Sequence, residues 1–278
     1  MTSHRSVARP LVMGVVNVTP DSFSDGGWWA DHISAVAHGR QLLADGADIL
    51  DVGGESTRPG ATRPLVTEEL DRVIPVITDL AAAGAVVSVD TMRAEVAAAA
   101  INAGATIVND VSGGLADPRI LQVVAASDAL YVAMHWRAHA DRMQEFTSYP
   151  GGVVADVRAE LALRVEAALG AGIPESRLVL DPGLGFAKTP EQSWDLLAGL
   201  DELASLGMPL LVGASRKAFL GALLASNGVP RAVDEREYAG AAVSVLLAQR
   251  GVWGVRVHDV RATLDALAAW VRVERSTR

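Results

Sequence analysis

Cysteine is absent from this 278-residue chain, which removes disulfides, thiolate nucleophiles and cysteine-ligated zinc together. Aromatic residues make up only 5% of it, so a core must be assembled from Ala, Val, Leu and Ile. Positive charge is scarce as well: 24 Lys and Arg stand against 33 Asp and Glu, a net charge of −9. That balance excludes a general nucleic-acid surface, which needs a basic stripe, and any anionic ligand must be met locally. No apolar run approaches the ~20 residues of a membrane helix. The run Leu11 to Val16 is too short for a signal-peptide core and leads straight into Asn17. A cytoplasmic protein without membrane or nucleic-acid partners is expected.

What is present is half apolar and rich in glycine, with 26 residues. Short Val- and Ile-rich runs alternate with Ala- and Leu-rich stretches at helical spacing. Strands are expected at Leu11–Val16, Ile49–Gly53, Val86–Asp90, Thr106–Asn109, Leu130–His135, Leu178–Asp181, Leu210–Gly213 and Val255–His258. Helices are expected at Ile33–Ala44, Glu68–Ala82, Arg93–Ala103, Pro118–Ala126, Val153–Ala171, Glu191–Leu200, Asp234–Arg250 and Val260–Val271. Continuously apolar strands separated by helices mark a parallel sheet covered on both faces. Eight such βα units fit a single-domain (β/α)8 TIM barrel over residues 1–278, with residues 1–10 as a flexible extension.

A doubly wound open sheet is the other architecture of this pattern, but no G-x-G-x-x-G follows the first strand. Gly183-Leu184-Gly185-Phe186-Ala187-Lys188-Thr189 faintly suggests a phosphate loop, and its frame does not close because Ala187 precedes the lysine.

In a barrel the active site lies at the C-terminal ends of the strands. Those ends offer Asn17, Glu55 to Arg58, Asp90, Asn109 and Asp110, Met134 and His135, Asp181, Ser215 to Lys217, and Arg256, His258 and Asp259. Helix capping is the plain reading for Asp259 and an alternative for Asp90, while Pro182 and Gly183 delay the helix after Asp181. His135 and His139 are four apart, but Trp136 follows where a zincin carries Glu, so zinc is rejected. His38 reads as a helix-surface residue and His135 as a strand-end packing residue. Arg256 and His258 share one strand face and suit an anion. Carboxylates and amides (Asp90, Asn109, Asp181) beside cations (Arg58, Lys217, Arg256) suit a planar amino-pyrimidinone. Its parallel donors match one carboxylate, and its carbonyl and ring nitrogen accept from a lysine. Asn17 could supply an oxygen to a hard cation such as Mg2+.

Six segments carry a family resemblance. Met13 to Gly27, Asp51 to Ala61 (Asp-Val-Gly-Gly-Glu-Ser-Thr-Arg-Pro-Gly-Ala), Ser88 to Thr91, Asn109 to Gly114, Asp181 to Phe186 and Gly213 to Lys217 resemble the dihydropteroate synthases, with matches continuing to Arg256-Val257-His258-Asp259. The resemblance implies a (β/α)8 barrel that condenses 6-hydroxymethyl-7,8-dihydropterin diphosphate with p-aminobenzoate, releasing diphosphate by a dissociative displacement. It implies that Asp181 grips the 2-amino edge of the pterin, Asn109 and Asp90 the opposite ring nitrogens, and Lys217 the carbonyl and N5, with Met134, Phe186 and Arg256 bordering the ring. Arg256, His258 and Asn17 with Mg2+ would hold the diphosphate. Phe23, Asp25, Thr57, Arg58 and Pro59 would close over the site and build the p-aminobenzoate pocket, with Asp25, Arg58, Asp90 and Lys217 acting in catalysis. A homodimer is implied too, for which the small residues Ala239 to Ala242 would allow close helix approach. One departure is Ala218, where many relatives carry a serine that contacts the p-aminobenzoate carboxylate; helix-start N–H groups could substitute. No insertion separates Arg58 from Pro59, so sulfonamide sensitivity is expected. Two rivals are a pterin-binding methyltransferase domain, which needs no diphosphate site, and a silent paralogue that only binds.

Overall fold

The computed structural model describes residues 8–18, 27–55 and 63–276. Among these residues eight parallel strands run β1 Leu11–Asn17, β2 Ile49–Gly53, β3 Val87–Asp90, β4 Ile107–Asp110, β5 Leu130–Met134, β6 Leu178–Asp181, β7 Leu211–Val212 and β8 Gly254–Val257. Their order is β6-β5-β4-β3-β2-β1-β8-β7, and a single parallel bridge from Leu180 to Leu210 brings β6 to β7 and closes the barrel. The helices are α1 Gly27–Ala44, α2 Val66–Ala82, α3 Ala94–Asn102, α4 Arg119–Ala125, α5 Val153–Gly170, α6 Pro190–Ala198, α7 Leu200–Ala204, α8 Ala218–Leu223, α9 Glu237–Gln249 and α10 Val260–Ser276. No described helix is long and apolar enough to cross a membrane.

The two-residue period of each strand decides what faces the barrel interior. At the N-terminal end the inward side chains are Met13, Ile49, Ile107, Val132, Val179 and Leu211, a buried apolar plug. Two positions further on, four of the same strands present Asp51, Asn109, Met134 and Asp181. Arg256 joins this layer from β8, where it pairs in register with Met13. The plug therefore floors a polar layer at the C-terminal mouth. The outward residues, including Val12, Leu50, Val89, Val108, Tyr131 and Leu180, pack against the helices in one continuous core. At the ~25 cal/mol per Å2 of apolar burial, this outer layer is the main stabilising term of the fold.

Several boundaries differ from those the periodicity predicts, for local reasons. The helix expected over Glu191–Leu200 splits into α6 and α7 at Gly199, where an added Cβ would lie 2.7 Å from both Val154 methyls. The strand expected over Leu210–Gly213 shortens to two residues. Helix α8 is unexpected, and the helix expected from Asp234 begins at Glu237 after a 3-10 turn at Val233–Glu235. Helix α1 starts at Gly27 rather than Ile33. The extension expected over residues 1–10 is tied at its inner end: Pro10 is buried, and the Arg9 guanidinium donates to both oxygens of Asp48, at 2.5 and 3.0 Å.

Candidate active site

A buried ion-pair network occupies the mouth of the barrel. Arg256 Nε donates to Asp51 Oδ2 at 2.6 Å and its Nη2 to Asp90 Oδ2 at 2.8 Å. Asn109 Nδ2 donates to the same Asp51 oxygen at 3.0 Å. Strands β2, β3, β4 and β8 are thereby joined through side chains inside the barrel. Asp51 Oδ1 is buried with no partner among the described residues, an acceptor facing the polar layer. Burial pushes the Asp90 carboxyl up to about 7, with the Arg256 guanidinium only partly opposing it and Asp51 adding to the rise. Burial also works against the Arg256 charge, but Asp51 and Asp90 outweigh it and hold that pKa above the ordinary arginine value. Asp90 does not cap the following helix: the Ala94 N–H goes to Asp117 Oδ2 at 3.0 Å. Asp259 does cap, accepting from Ala262 N–H at 2.9 Å.

Asp181 and Lys217 form the second cluster. Asp181 Oδ1 accepts from Gly183 N–H at 2.7 Å, and burial raises its pKa against the opposing charge of Lys217. Lys217 Nζ donates to the Leu184 carbonyl and lies 4.8 Å from the centre of the Phe186 ring. Burial lowers its pKa to about 8, with Asp181 working in the opposite direction. A cation–π contact of this kind adds about 0.5–2 kcal/mol as the site loses water. Gly213 borders both cations: a Cβ there would lie in ordinary contact with Arg256 Cβ at 3.7 Å and Lys217 Nζ at 3.9 Å. Lys217 follows Arg216, whose φ of 61° is strained for a residue with a side chain. The strained turn is held from the start of α9, by Glu237 on the Arg216 guanidinium and by Arg236, the residue before the helix, whose Nη1 donates to the Arg216 carbonyl at 2.7 Å.

An apolar wall closes one side, where Met92, Val111 and Met134 cluster with Phe186 packed on them. On the opposite sector β1 neighbours β8, so Asn17 and His258 share the rim. His258 Nδ1 lies 3.0 Å from Ser215 Oγ, and Ser215 Oγ accepts the His258 backbone N–H at 3.2 Å. Ala218 begins α8 with its side chain exposed.

The expected residues Asp90, Asn109, Met134, Asp181, Phe186, Lys217 and Arg256 thus converge on one mouth. Arg256 is turned inward onto the two aspartates rather than toward the His258 sector. Phe23, Asp25, Thr57, Arg58 and Pro59 lie outside the described residues. The chain on either side of residues 56–62 is pinned: Arg63 Nε donates to Glu55 Oε2 at 3.1 Å, and Arg72 Nη1 to the Gly54 carbonyl at 2.9 Å. Among the described residues no group of three or more His, Asp or Glu could hold a metal.

Sequence reasoning missed Asp51, whose signal was an acid in the middle of a fully buried strand. It also missed a network behind Asp181. His135 is buried as expected of a packing residue, yet both ring nitrogens are engaged, Nε2 with Glu160 Oε2 at 2.8 Å and Nδ1 with Lys188 Nζ at 2.9 Å.

The profile of the family described as pterin binding enzyme matches residues 13–258. A dihydropteroate synthase of Mycobacterium leprae is 54% identical over 271 residues, covering 96% of this chain and 95% of that protein. A solved dihydropteroate synthase of Xanthomonas albilineans with 4-aminobenzoic acid superposes with a TM-score of 0.88 at 47% identity, over 96% of this chain and 94% of its own. A second Xanthomonas albilineans structure, in complex with 7,8-dihydropteroate, gives a TM-score of 0.85 at 44% identity over 96% and 95%.

Proposed function

The chain belongs to the pterin binding enzyme family as a dihydropteroate synthase, and from that premise we propose that the polar layer at the barrel mouth is its pterin site. The reaction condenses 6-hydroxymethyl-7,8-dihydropterin diphosphate with p-aminobenzoate to give 7,8-dihydropteroate and diphosphate. The observation that carries the site assignment is the convergence of Asp181, Lys217, Asn109 and the Asp51–Arg256–Asp90 network above one apolar floor.

Each group has a role that its chemistry suits. Asp181 accepts from the 2-amino group and the adjacent ring N–H, a pair of parallel donors. Lys217 donates to the ring carbonyl and N5, and Asn109 with Asp90 engages the far ring nitrogens. Met134 and Phe186 border the ring on one face and Arg256 on the other. The carbon–oxygen bond to diphosphate breaks first, leaving a methylene cation delocalised into the pterin. Asp51 and Asp181, joined by Asp90 as it ionises near pH 7, lie where the ring becomes positive and offset its charge, the preorganised stabilisation that active sites supply. The arylamine then attacks, and it needs no strong base because it is unprotonated near neutral pH.

His258 and Asn17 are the diphosphate ligands in this reading, and Arg256 joins them only if its guanidinium turns from Asp51 and Asp90 when the ligand binds. A hard cation fits the donors present: Asn17 offers one amide oxygen, and Mg2+ is commonly shared between one or two protein oxygens and phosphate oxygens. When bound, Mg2+ would neutralise charge developing on the leaving diphosphate. Phe23, Asp25, Thr57, Arg58 and Pro59, with the N-terminal turn of α8 at Ala218, are assigned to the p-aminobenzoate pocket on the family resemblance. We read the chain as one barrel domain and assign it to the cytoplasm, which the lack of cysteine suits. A homodimer is supported by α9: Gly240 packs inward near Ser215, while Tyr238, Ala242 and Leu246 form an exposed stripe one helical turn apart.

The decisive experiment measures diphosphate release from the pterin diphosphate with and without p-aminobenzoate. Release that depends on p-aminobenzoate, with 7,8-dihydropteroate formed in equal amount, is the expected result. Methyl transfer to the pterin, or binding without turnover, would overturn the reading.

A further inference from the structure

Lys188 is the ionisable residue of the failed phosphate-loop motif, and the reaction leaves it without a role. It is only 3% exposed, at the end of the loop that follows β6. Its Nζ lies 2.9 Å from His135 Nδ1, 3.0 Å from the Gly183 carbonyl and 2.9 Å from the Phe186 carbonyl. The loop it closes passes through left-handed backbone at Gly183, Gly185 and Ala187, with φ of 66°, 76° and 51°, a conformation that strains only the alanine. Ala187 pays that strain with a side chain present, so something must over-determine the loop.

The proton positions follow from the partners. Glu160 lies 2.8 Å from His135 Nε2 and is held by Arg137 as well. Burial disfavours its charge, but the hydrogen bonds from His135 and Arg137 win and bring its pKa down to about 2. An ionised carboxylate at that distance requires a proton on Nε2, and burial with the Lys188 charge lowers the His135 pKa to about 4, so the ring is neutral. Nδ1 is then an acceptor. Lys188 must donate to it and to both carbonyls, which uses the three donors of an ammonium. Burial, reinforced by Lys217, pulls the Lys188 pKa well below that of an ordinary lysine, and the charges of Asp181 and Glu160 work against this.

What the loop carries is the pterin pocket. The Gly183 N–H fixes Asp181 Oδ1, the Leu184 carbonyl receives Lys217, and Phe186 lies beneath the Lys217 ammonium. One residue, Gly183, therefore offers its carbonyl to Lys188 and its N–H to Asp181. We propose that Lys188 is a positioning residue of the pterin pocket: seated on His135, it holds the Gly183 and Phe186 carbonyls so that the loop aims Asp181, Phe186 and Lys217 at the ligand. This rests on the assignment of Asp181 to the pterin given above.

Lys188→Met keeps the stem and removes the donors, and the readout is affinity for the bare hydroxymethyl pterin by titration calorimetry, with steady-state kinetics alongside. The expected result is a loss of affinity on the order of tenfold or more, since buried acceptors left unpaired relax the loop. KM for the pterin diphosphate rises in parallel, while kcat at saturation stays within about threefold and KM for p-aminobenzoate within about twofold. Lys188→Gln keeps two N–H donors and recovers much of the loss; where Lys188→Met does not fold, a roughly fivefold loss in Lys188→Gln is expected instead. Pterin affinity within about twofold of the parent in a folded variant, with only the melting temperature lowered, makes Lys188 purely structural and overturns the proposal. Asp181→Asn, measured in parallel, separates the two layers. Weakened binding there with unchanged binding in the Lys188 variants overturns this inference alone, and unchanged binding in Asp181→Asn overturns the pocket assignment together with the route through Gly183.

Discussion

Replacing Asp181 with asparagine is nearly isosteric, and the structure dictates which way the new amide must face. Oδ1 of Asp181 accepts the Gly183 N–H at 2.7 Å. In Asp181→Asn the amide oxygen has to stay on that N–H, because the alternative sets NH2 against N–H. The NH2 group is then forced toward the pocket, where the pterin presents its own ring N–H and exocyclic amine. A charge-assisted hydrogen bond worth about 1.5–3 kcal/mol is lost, and a donor facing a donor adds a desolvation cost, for a total of about 2–4 kcal/mol. That is a weakening of roughly 30- to 1000-fold in Kd. The fold itself should not suffer. Burial already raises the Asp181 pKa, so a neutral side chain removes an unfavourable buried charge, while Lys217 keeps its bond to the Leu184 carbonyl. Titration calorimetry with the bare hydroxymethyl pterin measures the affinity, and a thermal melt run beside it checks the fold. A Kd within about threefold of the parent in a variant that melts normally would refute the role given to Asp181 and the hydrogen-bond reasoning behind it.

His258→Ala should weaken a diphosphate-bearing pterin by about tenfold or more and leave the bare pterin unchanged, and chelating Mg2+ should have the same selective effect. Equal losses for the two ligands in calorimetry would count against the anion site. Asp90 has a native pKa of about 7 against an ordinary value of 3.8, so between those pH values the native state keeps a proton that the unfolded chain gives up. Stability should therefore fall as pH rises through that window, and Asp90→Asn should flatten the slope in denaturant titrations at several pH values. An unchanged slope would remove Asp90 as its source. Gly183→Ala would place a Cβ 2.5 Å from the His135 carbonyl oxygen at a φ of +66°, so a loss of about 2–4 kcal/mol in unfolding free energy is expected, and a variant as stable as the parent would sink that reading.

Local patterning was enough for much of the molecule. The eight strands were legible because a buried parallel strand is a short, uninterrupted Val- and Ile-rich run, and each lies within one βα unit of some thirty residues. The polar identities of Asn17, Asp90, Asn109, Asp181 and Arg256 were legible for the same reason: a two-residue period and the direction of each strand place them at the barrel mouth. Partner choice was a different matter, because it depends on closure. Arg256 meets Asp51 across 205 positions of chain, and only the ring of strands decides that its guanidinium turns inward onto that aspartate and Asp90. Lys188 stood in a segment whose phosphate-loop frame does not close, and only the pairing of β5 with β6 brings His135 to it. Helix α8 escaped the pattern because six residues are too few for a period to show. Side-chain type and strand phase are properties of neighbours in sequence. The charge state of Asp90, the tautomer of His135 and the orientation of Asp181 are set by desolvation and by partners that only the folded barrel assembles.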